Sequence, residues 1–259
     1  MGNGFLVIGR KALNFIARLG STCILLLKSI YHFKDIPRSF NLILEQCFFI
    51  GNKSLPLVII ISIFIGAVSA WQAAYQFKFI GAPLRYLGNA VGKAVIIELA
   101  PVLTALVIAG RVGAGIAAEM GTMKVTEQID ALESMGISPV RYLVMPRLVA
   151  STIMIPLLTI FADCIAIMGA LAVSVLFVNI SYETFLLGVK SSFQMFDMFS
   201  GLFKSAVFGA IIGIAGCHEG YRAEGGARGV GQVTTEAVVI ASVLILISDY
   251  IIATILFRV

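Results

Sequence analysis

Charged residues are scarce in this sequence, and their scarcity is the first indication of where the protein resides. Asp, Glu, Lys and Arg account for 13% of the 259 residues, whereas hydrophobic residues account for 59%. A typical soluble domain carries about 25% charged residues, and several apolar runs here exceed the roughly 18 residues of a membrane-spanning candidate. The formal net charge is +5, but the basic residues are spread through loops and the N-terminal region. The composition therefore indicates an integral membrane protein and argues against a nucleic-acid-binding surface.

Residue sets that carry catalysis or metal binding are also missing. The two histidines are too few and too separated for a histidine-rich metal site, and no GxSxG nucleophile motif occurs. The run 88–94 is one residue too short for a GxxxxGKS/T phosphate-binding loop and ends in Ala94. Four cysteines without CxxC spacing indicate free thiols: Cys23, Cys47, Cys164 and Cys217. We therefore expect no catalytic residue, no metal and no cofactor, and any nucleotide hydrolysis must occur on another polypeptide.

The first 50 residues predict an amphipathic region at the membrane surface, with no cleavable signal pattern. Apolar side chains recur at helical spacing over 5–27. Basic residues interrupt any clean span there, at Arg10, Lys11, Arg18 and Lys28. Such a helix lies in the interface with its basic residues toward anionic head groups, and a second one is expected over 39–49. The alternative is a sixth, short transmembrane helix that begins near Leu19.

Five apolar segments predict an all-α bundle, 55–257, which forms a single domain with the interfacial region 1–50. The predicted spans are 55–77, 95–118, 148–178, 199–216 and 234–257. The third is longer than the roughly 20 residues that cross a bilayer, so it tilts or projects from the membrane. Most Lys and Arg residues fall on the inner side when the N-terminus is cytoplasmic. Because inner segments carry the excess of Lys and Arg, we predict a cytoplasmic N-terminus and a C-terminus on the outer side.

Several charged residues lie inside the predicted spans. Glu98 opens the second span and Arg111 lies within it, and charges in lipid are costly unless they face a bundle interior or a water-filled cavity. Arg111 could pair with Glu236 near the inner start of the last span. Asp163 and Asp249 fall at similar depth toward the outer half. We expect Arg111, Asp163, Glu236 and Asp249 to contribute to an internal polar network; a proton relay is the alternative.

A short amphipathic helix is predicted over 122–135, between the second and third spans. Three apolar residues, Val125, Ile129 and Leu132, share one face, and three acidic residues lie on others: Glu127, Asp130 and Glu133. Gly136 is a plausible stop for this helix. The predicted topology places the helix in the cytoplasm, where a membrane protein can receive force from a soluble partner. A solvated connector is the alternative.

The motifs around these charges follow a characteristic order along the chain. They are Glu98-Leu99-Ala100-Pro101-Val102, Ala109-Gly110-Arg111, Ala118-Glu119-Met120-Gly121, Thr126-Glu127-Gln128 and Pro146-Arg147, then Gly220-Tyr221, Gly229-Val230-Gly231 and Thr234-Thr235. From about Phe64 to the C-terminus the sequence resembles the permease subunit of the MlaE (YrbE) family. That subunit is the membrane part of ABC-type lipid transporters that work with MCE-domain proteins.

The resemblance implies a permease of the bacterial inner (cytoplasmic) membrane that forms a homodimer and binds a separate ATPase subunit. The expected cargo is phospholipid, moved between that membrane and an MCE-domain partner so that the lipid asymmetry of the outer membrane is maintained. In this family the helix between the second and third spans docks on the ATPase. The implied coupling residues are Val125, Glu127, Ile129, Asp130 and Leu132.

The resemblance also places Glu98 and Leu99 at a lipid-binding cavity. Trp71 and Tyr75, at the outer end of the first span, are further cavity candidates, although an aromatic belt is the usual role at that level. A helix N-terminus favours an acidic residue, so a structural cap is the alternative role for Glu98. Ile97 stands where several family members have a basic residue, which puts an arginine-assisted head-group contact in doubt. The rival functions are an MCE-type transporter of a sterol or other hydrophobic compound, a membrane-embedded lipid enzyme, and a structural scaffold.

Overall fold

The computed structural model describes residues 20–257 except 23 and 30, and the regular structure in that part of the chain is entirely helical. Within these described residues, five helices are long and apolar enough to cross a membrane, which confirms the predicted all-α fold with five spans. We label the helices α1 Phe40–Ile80, α2 Leu84–Val125, α3 Gln128–Ser134, α4 Val140–Leu176, α5 Tyr182–Ser192, α6 Met195–Tyr221 and α7 Ala227–Leu256. The short helices α3 and α5 connect the long ones.

The sequence predicted that an interfacial region ends near residue 50 and that the first span begins at 55. The structure has no break there, because α1 is one continuous helix from Phe40 to Ile80. Most of the interfacial helix predicted over 5–27 lies outside the described residues, and a 3₁₀ helix, His32–Ser39, leads into α1. Almost all of the second predicted interfacial helix, 39–49, forms the first turns of α1, because buried positions such as Ile43 and Ile50 continue the stripe of the span itself. With 41 residues at 1.5 Å each, α1 is about 60 Å long. It therefore tilts or extends beyond the roughly 30 Å hydrocarbon layer.

Two π-helical turns interrupt α2, at Val95–Leu99 and Ala109–Gly113, and a third opens α4 at Val140–Val144. Such turns are rare and occur frequently at functional sites. Each π-turn of α2 contains one of the charged residues predicted inside the second span, Glu98 or Arg111. The local change in helix geometry therefore helps to set the direction in which these two side chains leave α2.

The predicted helix 122–135 is divided in the structure. Its first turn belongs to the end of α2, and α3 begins only at Gln128. The break occurs at Glu127, whose φ of 60° is left-handed and cannot continue a right-handed helix. Gly136 ends the segment as predicted: its φ is +73°, and the Ile137 amide donates to the Leu132 carbonyl in the pattern of a Schellman cap.

Small residues allow the long helices to approach closely. A Cβ on Gly66 of α1 would collide with the backbone carbonyl of Ala166 in α4, and one on Gly209 of α6 would collide with the carbonyl of Ser151. Membrane helices associate largely through such contacts. In α7, by contrast, the buried residues form one narrow stripe, at Val233, Ala237, Ala241 and Ile245. The rest of α7 is left facing lipid or another protein.

Candidate functional site

A groove of about 710 Å³ runs between α1 and the N-terminal half of α2. That volume lies in the range of pockets that hold small molecules. The walls are mostly apolar, with Ile61, Phe64, Ile65, Val68, Ala73, Phe77, Ala90, Val91, Ala94, Leu99 and Leu103. A neutral polar stripe follows one face of α1, where Ser69, Gln72 and Gln76 are spaced by three and four residues. The groove is therefore amphipathic, and no charged residue is among its described lining.

Of the four predicted cavity residues, only Leu99 lines this groove. Trp71 is 58% exposed and packs edge to face against Phe177, with ring centroids 6.2 Å apart. Tyr75 is also largely exposed. Both aromatic residues lie near the C-terminal end of α1 and outside the groove wall, which fits an aromatic belt at one membrane surface better than a cavity lining.

Glu98 belongs to a buried ionic cluster that joins three spans. The ammonium of Lys204 in α6 donates a hydrogen bond to Glu98 Oε2 at 2.6 Å and lies 2.8 Å from Asp249 Oδ1 in α7. The side chain of Lys204 is fully buried, whereas that of Glu98 is 42% exposed. Glu98 follows helical residues that begin at Leu84, so it does not cap a helix N-terminus. We call Glu98, Lys204 and Asp249 the ionic triad.

Lys204 is the site residue that sequence reasoning missed. It lies within the fourth apolar span, and an ionisable residue in such a span is itself a signal of function or pairing. Its partner Glu98 is 106 positions away in the sequence. Periodicity relates residues only within one helix, so the spacing could not identify this pair.

The residues expected to form one polar network belong to different clusters. Arg111 donates to Ser54 Oγ of α1 at 2.5 Å and lies over the ring of Phe49, so its partner differs from the predicted Glu236. Glu236 accepts a hydrogen bond from Gln232 on its own helix. Asp249 belongs to the ionic triad. A carboxylate oxygen of Asp163 is buried without a hydrogen-bond partner among the described residues.

The segment 126–139, which we call the coupling segment, turns its apolar side chains inward. Ile129 is 2% exposed within this single chain, and the partly buried Leu132 packs against the same core. The outward surface is acidic and carries the exposed residues Glu127, Asp130 and Glu133. Near its tip, Met135 and Ile137 are exposed apolar residues. The apolar face that was expected to meet a soluble partner therefore packs against the bundle. The side chains available to a partner are the exposed acidic residues and the apolar residues of the tip.

Five spans, intramembrane ion pairs and an amphipathic groove together define a helical membrane transport protein. The family model described as "Permease MlaE" matches residues 43–255, and this chain belongs to that family. A probable ABC transporter permease protein of Rickettsia typhi is 40% identical over 98% of this chain and 97% of its own length. The protein is thus a permease of an ABC transporter and not an enzyme.

Other relatives share most of the same region. A probable ABC transporter permease protein of Synechocystis is 43% identical over 83% of this chain and 81% of its own length. The chloroplastic protein TRIGALACTOSYLDIACYLGLYCEROL 1 of Arabidopsis thaliana is 34% identical over 92% of this chain and 66% of its own length. The name of this plant protein refers to a galactolipid.

Proposed function

We propose that this permease forms a homodimer in the bacterial inner membrane and moves phospholipid between that membrane and an MCE-domain partner, driven by a separate ATPase. In this role it maintains the lipid asymmetry of the outer membrane. The observation that carries the proposal is the amphipathic groove between α1 and α2. A phospholipid needs an apolar surface for its acyl chains and a polar surface for its ester and head-group region, and the groove offers both.

The chemistry of the groove supports a lipid in preference to a water-soluble cargo. Apolar side chains form most of the lining, so an acyl chain can be accommodated there without exposing it to water. The amides of Gln72 and Gln76 offer both donors and acceptors, one helical turn apart. They can therefore hydrogen-bond ester or phosphate oxygens without the desolvation cost of a buried charge.

The exposed face of α7 is available to a second copy of the chain or to lipid. Val239, Val243, Leu246, Ile247 and Ile251 are large apolar residues that remain exposed in the single chain. Five spans are too few to enclose a pathway for a two-tailed lipid. A second copy would complete the enclosure, with the first, second and fifth spans around a shared cavity.

The coupling segment supports docking of the ATPase. It connects α2 and α4, and it carries exposed acidic residues together with the apolar tip of Met135 and Ile137. A basic groove on the ATPase would complement this surface in charge. Glu127 and Asp130, two of the five coupling candidates, lie on this outward face, whereas Ile129 and Leu132 pack inward on the core. Val125 is the half-buried last residue of α2.

The proposed cargo is tested by filling the groove. Ala73→Trp places a bulky ring in the groove wall, and Ala172→Trp, on an exposed face of α4, is the matched control. Lipids bound to the purified complex are measured by mass spectrometry. We expect phospholipid in the wild type and in Ala172→Trp, and substantially less in Ala73→Trp. Equal amounts in all three would remove the groove as the cargo site, and a sterol in place of phospholipid would favour the alternative cargo.

A further inference from the structure

Arg147, in the first turns of α4, joins the two spans that lie on either side of the coupling segment. Its side chain is 5% exposed. Nη2 of its guanidinium lies 2.7 Å from Glu119 Oε1 near the C-terminal end of α2, and Nη1 donates to the Leu143 carbonyl at 2.8 Å. The Arg147 guanidinium therefore connects α4 to α2, and it also holds the π-turn with which α4 begins. We call the Arg147–Glu119 pair the base clasp.

The chemistry of this contact favours a rigid connection. The planar guanidinium presents donors in a fixed fork, so two simultaneous acceptors fix its orientation. Arg147 is nearly buried, but half of the Glu119 side chain is exposed, so solvent screens this ion pair in part. The contact lies at the base of the loop 120–146, which contains α3. If α3 moved together with only one of these two spans, α2 and α4 would separate at this level. That separation would require the Arg147–Glu119 pair to open.

Each partner of the base clasp leads to one wall of the groove. Glu119 lies on α2, whose N-terminal half forms one wall through Leu99 and Leu103. Arg147 lies on α4, which packs along α1, where a Cβ on Gly66 would collide with the backbone of Ala166. Because α1 forms the other wall, this pair links the two spans that lead from the coupling segment to the walls, in addition to the backbone and to the direct packing between the helices.

We propose that the base clasp transmits movement of the coupling segment to both walls of the groove at once. The proposal rests on the proposed function, since it assumes an ATPase that acts on the coupling segment. Arg147 and Glu119 are positioning residues in this scheme and touch neither nucleotide nor cargo. Without the clasp, the ATPase still docks and hydrolyses ATP, but the movements of the two walls are coupled less tightly, and less lipid is moved per ATP.

The surroundings of the clasp supply a matched control. Glu45 of α1 lines the same cavity of about 200 Å³ as Glu119 and Arg147. It is exposed and makes no hydrogen bond or ion pair with any residue that the structure describes. Glu45→Gln therefore makes the same chemical change as Glu119→Gln, in the same cavity, without opening the clasp.

The test uses the complete complex with its ATPase in phosphatidylethanolamine–phosphatidylglycerol vesicles that contain fluorescent phosphatidylethanolamine. ATP hydrolysis and ATP-dependent transfer of labelled lipid to the purified MCE-domain partner are measured together, beside the melting temperature. For Glu119→Gln and Arg147→Lys we expect ATPase binding and turnover near wild type, but roughly fivefold less lipid moved per ATP, the lower end of typical coupling between sites. Glu45→Gln should keep the wild-type ratio, and Glu119→Arg combined with Arg147→Glu should recover much of it.

The other outcomes separate this proposal from the proposed function. No ATP-dependent lipid transfer by the wild type contradicts the proposed function itself. Transfer by the wild type, with an unchanged ratio of lipid to ATP in both clasp variants, overturns the clasp alone, and a lowered melting temperature would then assign it a purely structural role. Failure of Glu119→Gln to bind the ATPase would also overturn it, because the pair would then act in docking.

Discussion

Removing the ammonium of Lys204 should destabilise the bundle, because it leaves two carboxylates close together without their shared cation. Lys204→Met keeps most of the side-chain length and removes the charge. Breaking a buried ion pair by deleting one partner costs about 3–5 kcal/mol. We expect about 3 kcal/mol, the lower limit of that range, because 42% of the Glu98 side chain is exposed and partly solvated. For a chain of this size that corresponds to a fall in melting temperature of roughly 6–12 °C.

The assay is thermal unfolding of the purified protein in detergent, followed by the loss of the folded species in size-exclusion chromatography. Lys190→Met, on the exposed face of α5, is the matched control and should melt within about 2 °C of wild type, since a surface change is usually worth less than 0.5 kcal/mol. Lys204→Met with Asp249→Asn should recover part of the loss, because one of the uncompensated charges is gone. The reasoning is refuted if Lys204→Met melts like wild type, or if the double variant melts as low as the single one.

Three further predictions test topology, packing and docking. In a cysteine-free background, a cysteine at position 190 should react with an impermeant maleimide in intact cells, and one at 124 only after permeabilisation; the reverse would contradict the five-span orientation. Gly66→Ala should lower the melting temperature because its methyl group meets backbone of α4, whereas Gly110→Ala, which has open space around it, should not; equal melting of the two would contradict the packing. Met135→Asp should reduce ATPase co-purification at unchanged melting temperature, whereas Leu132→Asp should lower the melting temperature itself; the opposite pattern would show that Leu132 is the docking residue.

Composition and periodicity were sufficient for the architecture. Five apolar segments predicted five spans, because a run long enough to cross lipid has few other stable conformations. Gly136 was predicted as a helix stop, and the structure gives it the positive φ that such a stop requires. The charges at 98 and 111 were identified correctly as unusual, since a charge within an apolar span is informative without any knowledge of its partner.

The pairing of side chains between helices could not be predicted in the same way. Glu98 binds Lys204, and Arg111 binds Ser54, and these contacts depend on how helices pack and on the π-turns that redirect their side chains. The inward orientation of Ile129 was also missed. An apolar stripe on a short helix does not reveal whether it meets its own chain or a partner, and here the break at Glu127 folds α3 back onto the bundle.

The central claim, ATP-driven movement of phospholipid, is tested most directly by reconstitution without any variant of the permease. The complex of this chain with its ATPase is placed in vesicles of defined phospholipid composition, and lipid that reaches the purified MCE-domain partner is identified by mass spectrometry, with and without ATP. We predict phospholipid transfer that requires both ATP and the permease, and that stops when the ATPase carries a substitution that blocks hydrolysis. Transfer that is the same with and without ATP, or ATP hydrolysis with no phospholipid moved, would contradict the account.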